Sequence, residues 1–170
     1  MADNRLFLAF PADRLAVPLA RLQDHLVLPG RRIPPEQLHL TLRFLGETTA
    51  AHQQALQRHL NRLALPAFAL TLDRLGYFPR AGVVWIGPSR PPEALMGLAD
   101  ELELGCHALG TAPSHRAFRP HVTLFRHCNG TTLPAISPLT YVPERLALYR
   151  STLTEQGPRY DCLQAWPLRE

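Results

Sequence analysis

Apolar and polar positions recur along this chain with periods that predict its elements. Residues 5–10, RLFLAF, read as a strand ended by Pro11. DRLAVPLARLQDHLVL follows, with Leu15, Leu19, Leu22 and Leu26 at helical spacing and Pro18 in the first turns. PGRRIPPEQ is a loop by its Pro and Gly content, and residues 38–45 are a strand. Thr48 or Thr49 can cap a helix running to about Leu63, with Leu56, Leu60 and Leu63 on one face. AFALTLDRL and GVVWIGP are two more strands, separated by the turn-like GYFPRAG. The order then starts again. PPEALMGLADELELGCHALG is a helix, residues 121–126 are a strand, and ERLALYRSTLT and PRYDCLQAWPL close the chain as strands. Each half thus holds a helix, a central strand and a strand pair. This order predicts an α+β fold of two pseudo-two-fold-related lobes of antiparallel sheet, helices outside and a central cleft, in one bilobal domain over 1–170.

The two central strands share an anomaly. LHLTLRFLG at 38–46 and HVTLFR at 121–126 alternate as half-buried strands do, yet one face of each carries a His and a Thr. His39 and Thr41 share a face, with Leu40 and Leu42 behind them, and His121 and Thr123 share a face, with Val122 and Leu124 behind. If both strands line one cleft, it holds two imidazoles and two hydroxyls. Two histidines near their reference pKa suit acid–base chemistry at neutral pH. One takes a proton from an attacking oxygen and the other gives one to a leaving oxygen, while the hydroxyls bond an anion between them. In-line phosphodiester cleavage asks for this arrangement.

Composition narrows the chemistry. The chain has 170 residues, 46% hydrophobic and 19% charged, which is ordinary for a globular protein. The net charge is +4, and every one of the 18 basic residues is Arg. The absence of Lys excludes a lysine nucleophile, the adenylated lysine of an ATP-dependent ligase, and a Walker A loop. Arg in turn presents a planar fork suited to phosphate. Arg126 follows the second motif, Arg116 and Arg119 precede it, and Arg43 follows the first with its role left open. An Arg at the cleft would neutralise charge building on phosphoryl oxygens. No apolar run reaches a membrane span, and Leu6 to Phe10 is too short for a signal-peptide core, so a cytoplasmic protein is expected. The odd count of three cysteines suits a reducing compartment.

A lone His in a strand is ordinarily a hydrogen-bonded structural residue; two H-x-T-L motifs in matching halves argue against that explanation. Zinc calls for at least three close ligands, but the i+2 partners are Thr and no H-E-x-x-H occurs. His115 and His127 lie near the second motif. His25, His52, His59 and His107 fall in helical stretches and read as solvated. Phe7, Phe10, Phe44 and Phe118 flank the motifs; most are core, and a ring among them could stack a nucleobase.

The extended motifs resemble a known family. RLFLAF, LHLTLRFLGE, VVWIG, FRPHVTLFR and the tail LALYRSTLTEQGPRYDCLQAWPL are similar, in order and almost end to end, to the 2H phosphoesterases, and within them to the bacterial RNA 2′,3′-cyclic phosphodiesterases, or LigT-like 2′-5′ RNA ligases. The resemblance implies hydrolysis of a 2′,3′-cyclic phosphate on RNA or a nucleotide to a 2′-phosphate, without metal or cofactor. It also implies ATP-independent joining of RNA ends through a 2′-5′ linkage. His39 and His121 carry over as catalytic residues, and Thr41, Thr123 and Arg126 as phosphate contacts; Phe7 and Phe44 are assigned to substrate contact beside them. By analogy His39 is the acid and His121 the base, although the residues fit the reverse equally. The expected partner is RNA with 2′,3′-cyclic phosphate ends or a cyclic nucleotide; a monomer without membrane association is expected. A second enzyme reading keeps the two histidines and changes the substrate to ADP-ribose 1″,2″-cyclic phosphate or another small cyclic ester. The competing reading is a module that binds RNA ends or phosphate without turning them over.

Overall fold

The computed structural model describes residues 4–110, 117–130 and 132–169. The first half runs β1 (Asn4–Pro11), α1 (Ala16–Leu26), β2 (Arg31–Arg32), β3 (His39–Thr48), α2 (Ala50–Arg62), β4 (Leu70–Leu72), β5 (Arg74–Phe78) and β6 (Val83–Gly87). The second half runs α3 (Glu93–Ala108), β7 (Val122–Arg126), β8 (Leu139–Tyr141), β9 (Arg145–Thr154) and β10 (Gly157–Pro167). Seven strands follow one another as β10-β9-β1-β3-β7-β6-β5, β2 adds to β7, and β4 pairs with β8 in a separate ribbon. The halves are therefore joined in one sheet rather than lying as separate sheets.

Strand chemistry explains which face is covered. Leu6, Leu8 and Phe10 of β1 point into the same core as Leu19 of α1, Leu56 and Leu60 of α2, and Leu95, Leu98 and Leu102 of α3. The helices thus cover one face of the sheet. Phe7 and Ala9, the alternate residues of β1, lie on the other face with His39 and Thr41. Thr49 caps α2 by accepting from the His52 backbone N–H, and Pro18 sits in the first turn of α1, where a missing N–H costs nothing.

Several sequence readings change. PGRRIPPEQ contains strand β2 and a short 3-10 turn, Pro35–Gln37, because Arg31 and Arg32 find an unpaired edge of β7. The turn drawn through GYFPRAG is shorter, since Gly76, Tyr77 and Phe78 remain in β5 paired with β6. Strand β8 has no counterpart in the sequence reading. His59 is not solvated: its ring packs against Gly105 of α3, and its Nε2 is buried. His115 and Arg116 lie outside the described residues.

The decisive departure is a pair of bulges. In β3 the register passes from Ala9↔Thr41 to Leu8↔Arg43, leaving Leu42 as an extra residue. In β7 it passes from Trp85↔Thr123 to Val84↔Phe125, leaving Leu124 extra. Each bulge falls on the Leu three positions after the motif His and reverses the parity beyond it. Arg43 therefore turns to the helix side, where it is buried and its Nη1 donates to Glu103 Oε2 of α3 at 2.6 Å. Phe125 turns to the core likewise, while Phe44 and Arg126 turn to the motif face. Arg43 is accordingly no cleft residue, although simple alternation would place it beside His39.

Close approach also fixes the second lobe's motif face. The Trp85 indole lies flat on Gly76 of the neighbouring strand, so that a Cβ at Gly76 would run into the ring. Gly76→Ala should cost about 1–3 kcal/mol through overpacking. A thermal-denaturation series would register a clear drop in Tm, which Gly97→Ala, with open space around its Cα, does not share.

Candidate active site

The two motifs meet where β3 and β7 pair antiparallel through Leu40↔Val122. These are the same position of the two motifs, so a local two-fold passes between them. One residue to either side, His39 lies alongside Thr123 and Thr41 alongside His121, all on the face away from the helices. This register brings His39, Thr41, His121 and Thr123, the four residues singled out in the sequence, together on one face. Arg126 joins them through the β7 bulge; its charge acts on both imidazoles. It forms no ion pair with another described residue.

Each imidazole is oriented in the same way. His39 Nδ1 lies 2.6 Å from the Gln37 carbonyl, and His121 Nδ1 lies 2.7 Å from the Arg119 carbonyl. A carbonyl oxygen only accepts, so Nδ1 donates in both, and Nε2 is left as the reactive nitrogen. Aromatic rings fix the remaining freedom. Phe7 and Tyr160 pack on His39 with centroids 5.2 and 5.4 Å away. Phe78 and Trp85 pack on His121 at 5.1 and 6.0 Å. The carbonyls of Gln37 and Arg119 and the rings of Phe78, Trp85 and Tyr160 were missed in the sequence. The carbonyls could have been guessed from the repeated i−2 spacing; the rings come from strands whose position on the sheet the sequence does not reveal. Phe7 is 4% exposed, enclosed by His39, Phe44, Tyr149 and Tyr160, whereas Phe44 is 70% exposed.

Burial pushes the His39 pKa down to about 4; the Gln37 carbonyl opposes the shift, and the Arg126 and His121 charges add to it. Burial, then Arg126, lowers His121 as well. Both rings are thus neutral at pH 7 in the free protein. A bound anion would offset Arg126 and raise both values, so that charge on the ligand favours the protonated imidazole an acid requires. Among the described residues, no group of three or more His, Cys, Asp or Glu comes together that could hold a metal ion. No helix among them is long and apolar enough to cross a membrane.

The depressed histidine has a consequence for stability. The unfolded chain takes up a proton near pH 6.5 and the folded His39 only near 4. Its contribution is therefore present above pH 6.5 and is lost as the pH falls toward 4. Replacing His39 by Gln should flatten the fall in Tm over that window, as a melting series from pH 7 to 4 would register.

Comparison with known proteins agrees with this geometry. The model of the 2′-5′ RNA ligase superfamily matches residues 11–156. The chain is 37% identical over 143 residues to the RNA 2′,3′-cyclic phosphodiesterase of Escherichia coli strain K12, covering 83% of this chain and 81% of that protein. It is 33% identical over 161 residues to the enzyme of the same name from Aeropyrum pernix, covering 85% and 92%. The crystal structure of E. coli LigT complexed with 3′-AMP superposes with a TM-score of 0.92 at 34% identity, over 99% of each chain. Two H-x-T-L strands joined at a local two-fold, a cleft-facing Arg and these likenesses agree: the chain belongs to the 2′-5′ RNA ligase superfamily of 2H phosphoesterases.

Proposed function

We propose that this protein hydrolyses RNA 2′,3′-cyclic phosphates to 2′-phosphates by metal-independent two-histidine catalysis. The observation that carries the reading is the paired orientation of the imidazoles. Each has Nδ1 tied to a backbone carbonyl, each presents Nε2 on one face, and Arg126 is felt by both. Family members of the same name and fold support the substrate class.

In this mechanism His121 Nε2 takes a proton from water as the water oxygen bonds to phosphorus. The bond from phosphorus to the 3′-oxygen breaks on the opposite side, and His39 Nε2 gives that oxygen its proton. The product is a 2′-phosphomonoester. Thr41, Thr123 and Arg126 hold the non-bridging oxygens, where charge builds in the transition state. A 5′-hydroxyl in place of water gives a 2′-5′ linkage with no nucleotide triphosphate consumed. Phe44 occupies in the first lobe the position Arg126 occupies in the second, and we assign its exposed ring to stacking a base; Phe7 packs against both His39 and Phe44. A cytoplasmic monomer completes the reading, supported for compartment by the three free cysteines Cys106, Cys128 and Cys162.

The test is an RNA oligonucleotide ending in a 2′,3′-cyclic phosphate, incubated in EDTA, with the 2′- and 3′-phosphate products resolved. Wild type should yield the 2′-phosphate, and His39→Ala and His121→Ala should each lose about 10²–10⁴-fold in rate. Full rate in either variant, or turnover only on adding metal, would reject the mechanism; bound RNA with no turnover would leave a binding module. Truncating Phe44 to Ala should raise KM about tenfold through lost stacking while kcat changes little, as steady-state kinetics on the same RNA can determine.

A further inference from the structure

We propose that Arg31 forms a second phosphate subsite beside Arg126, one that takes the phosphate on the 5′-oxygen of the terminal nucleoside and thereby favours polynucleotide ends over free cyclic nucleosides. The inference rests on the phosphodiesterase reading, in which Arg126 holds the reacting phosphate.

Strand register is the first argument. Arg31 of β2 pairs directly with Arg126 of β7, antiparallel, so the two side chains leave the same face, their Cβ atoms about 4.5–5.5 Å apart. The neighbouring residue confirms the parity. Arg32 pairs with Phe125, which is core, and turns to the helix side. There it bonds Gln23 Oε1 at 3.2 Å, the Ala20 carbonyl at 3.0 Å, and Asp24, all on α1. Arg31 therefore faces the motif side.

Charge is the second. Like charges directly opposite one another on a sheet are destabilising. Among the described residues no carboxylate pairs with either arginine: the ion pairs there involve Arg14, Arg32, Arg43, Arg145, Arg150 and Arg159. Two arginines on one face of paired strands, with no ion pair to either among the described residues, are a site for an anion.

Placement is the third. Arg31 Nη2 donates to the Gln156 carbonyl at 2.9 Å, and the guanidinium lies on Gly157, at φ +107°, where a Cβ would collide with it. The β9–β10 turn thus holds the fork in position and leaves most of its five N–H donors available. The Arg126 charge lowers the pKa of both histidines, whereas the Arg31 charge is a cause of neither shift. In this proposal Arg31 takes the next phosphate along the strand, and Arg126 the reacting one. Carrying no sequence information, such a contact fixes the register of the chain on the protein.

The experiment compares kcat/KM for adenosine 2′,3′-cyclic phosphate, its 5′-phosphorylated form, and the dinucleotide with an internal phosphodiester and the same cyclic end. Arg31→Ala should lose about tenfold on the two substrates bearing a 5′-phosphate, mainly in KM. Its loss should be at least fivefold smaller on the nucleoside, and Arg31→Lys should recover part of the activity. A loss confined to the dinucleotide also supports the subsite and assigns it to a diester; a loss confined to the 5′-monophosphate overturns the preference for polynucleotide ends. Equal loss on all three means that Arg31 only braces the hairpin, and no loss anywhere overturns the proposal outright. Should wild type turn over none of them, the phosphodiesterase reading fails and binding tests the subsite separately. For a short oligonucleotide ending in a 2′-phosphate, the salt slope of log K should then fall in magnitude by about 0.7 in Arg31→Ala; an unchanged slope rejects the subsite.

Discussion

The site depends on one pairing, Leu40 with Val122. Both side chains are fully buried in the common core, so neither strand can slip without exposing them. Because the side-chain period in a strand is two, burying these residues sends their neighbours on both sides to the opposite face. Four residues that would be poor core material are thereby brought together: two imidazoles and two hydroxyls. The hydrophobic burial that joins the lobes and the polar convergence that makes the site are one event seen from two faces of the sheet.

The bulges refine what the pairing begins. Without them Phe44 and Arg126 would face the helices, while Arg43 and Phe125 would face the site. The cost of burying Arg43 is met by its pair with Glu103, at 2.6 Å and 5% exposure of the Arg side chain. The equivalent place in the other half is filled by Phe125 with no such partner needed. One geometric device thus yields two different outcomes at the matched position, an exposed aromatic ring in one lobe and a cation in the other. The local two-fold is a property of the backbone, and the chemistry on it is asymmetric, with a ring at one matched position and a cation at the other.

Electrostatically the site is set for an anion before one arrives. Burial and Arg126 keep both imidazoles neutral, and the carbonyls of Gln37 and Arg119 fix which nitrogen is presented. Preorganisation of this kind needs little rearrangement at the moment of reaction. The aromatic rings packed on each His restrain the ring plane, and the accompanying burial lowers its basicity.

Much of this was legible in the sequence, for local reasons. Strand alternation, helical leucine spacing, the Thr49 cap and the two H-x-T-L motifs are short-range signals, and they sufficed for the α+β order and for His39, Thr41, His121 and Thr123. The missing Lys excluded whole classes of chemistry without any structure. What the sequence could not determine depended on contacts between distant residues. A bulge is defined by the partner strand, so strict alternation misplaces Arg43, and the facing of Phe44 and Arg126 had to await the register with β1 and β6. Strand β2 exists because β7 offers an edge, and the Nε2 of His59 is buried because Gly105 of another helix comes to it. The depressed histidine pKa values likewise arise from burial and from a charge that only the fold brings near. Local pattern determined which groups the protein has to offer; tertiary register decided where they face and what they feel.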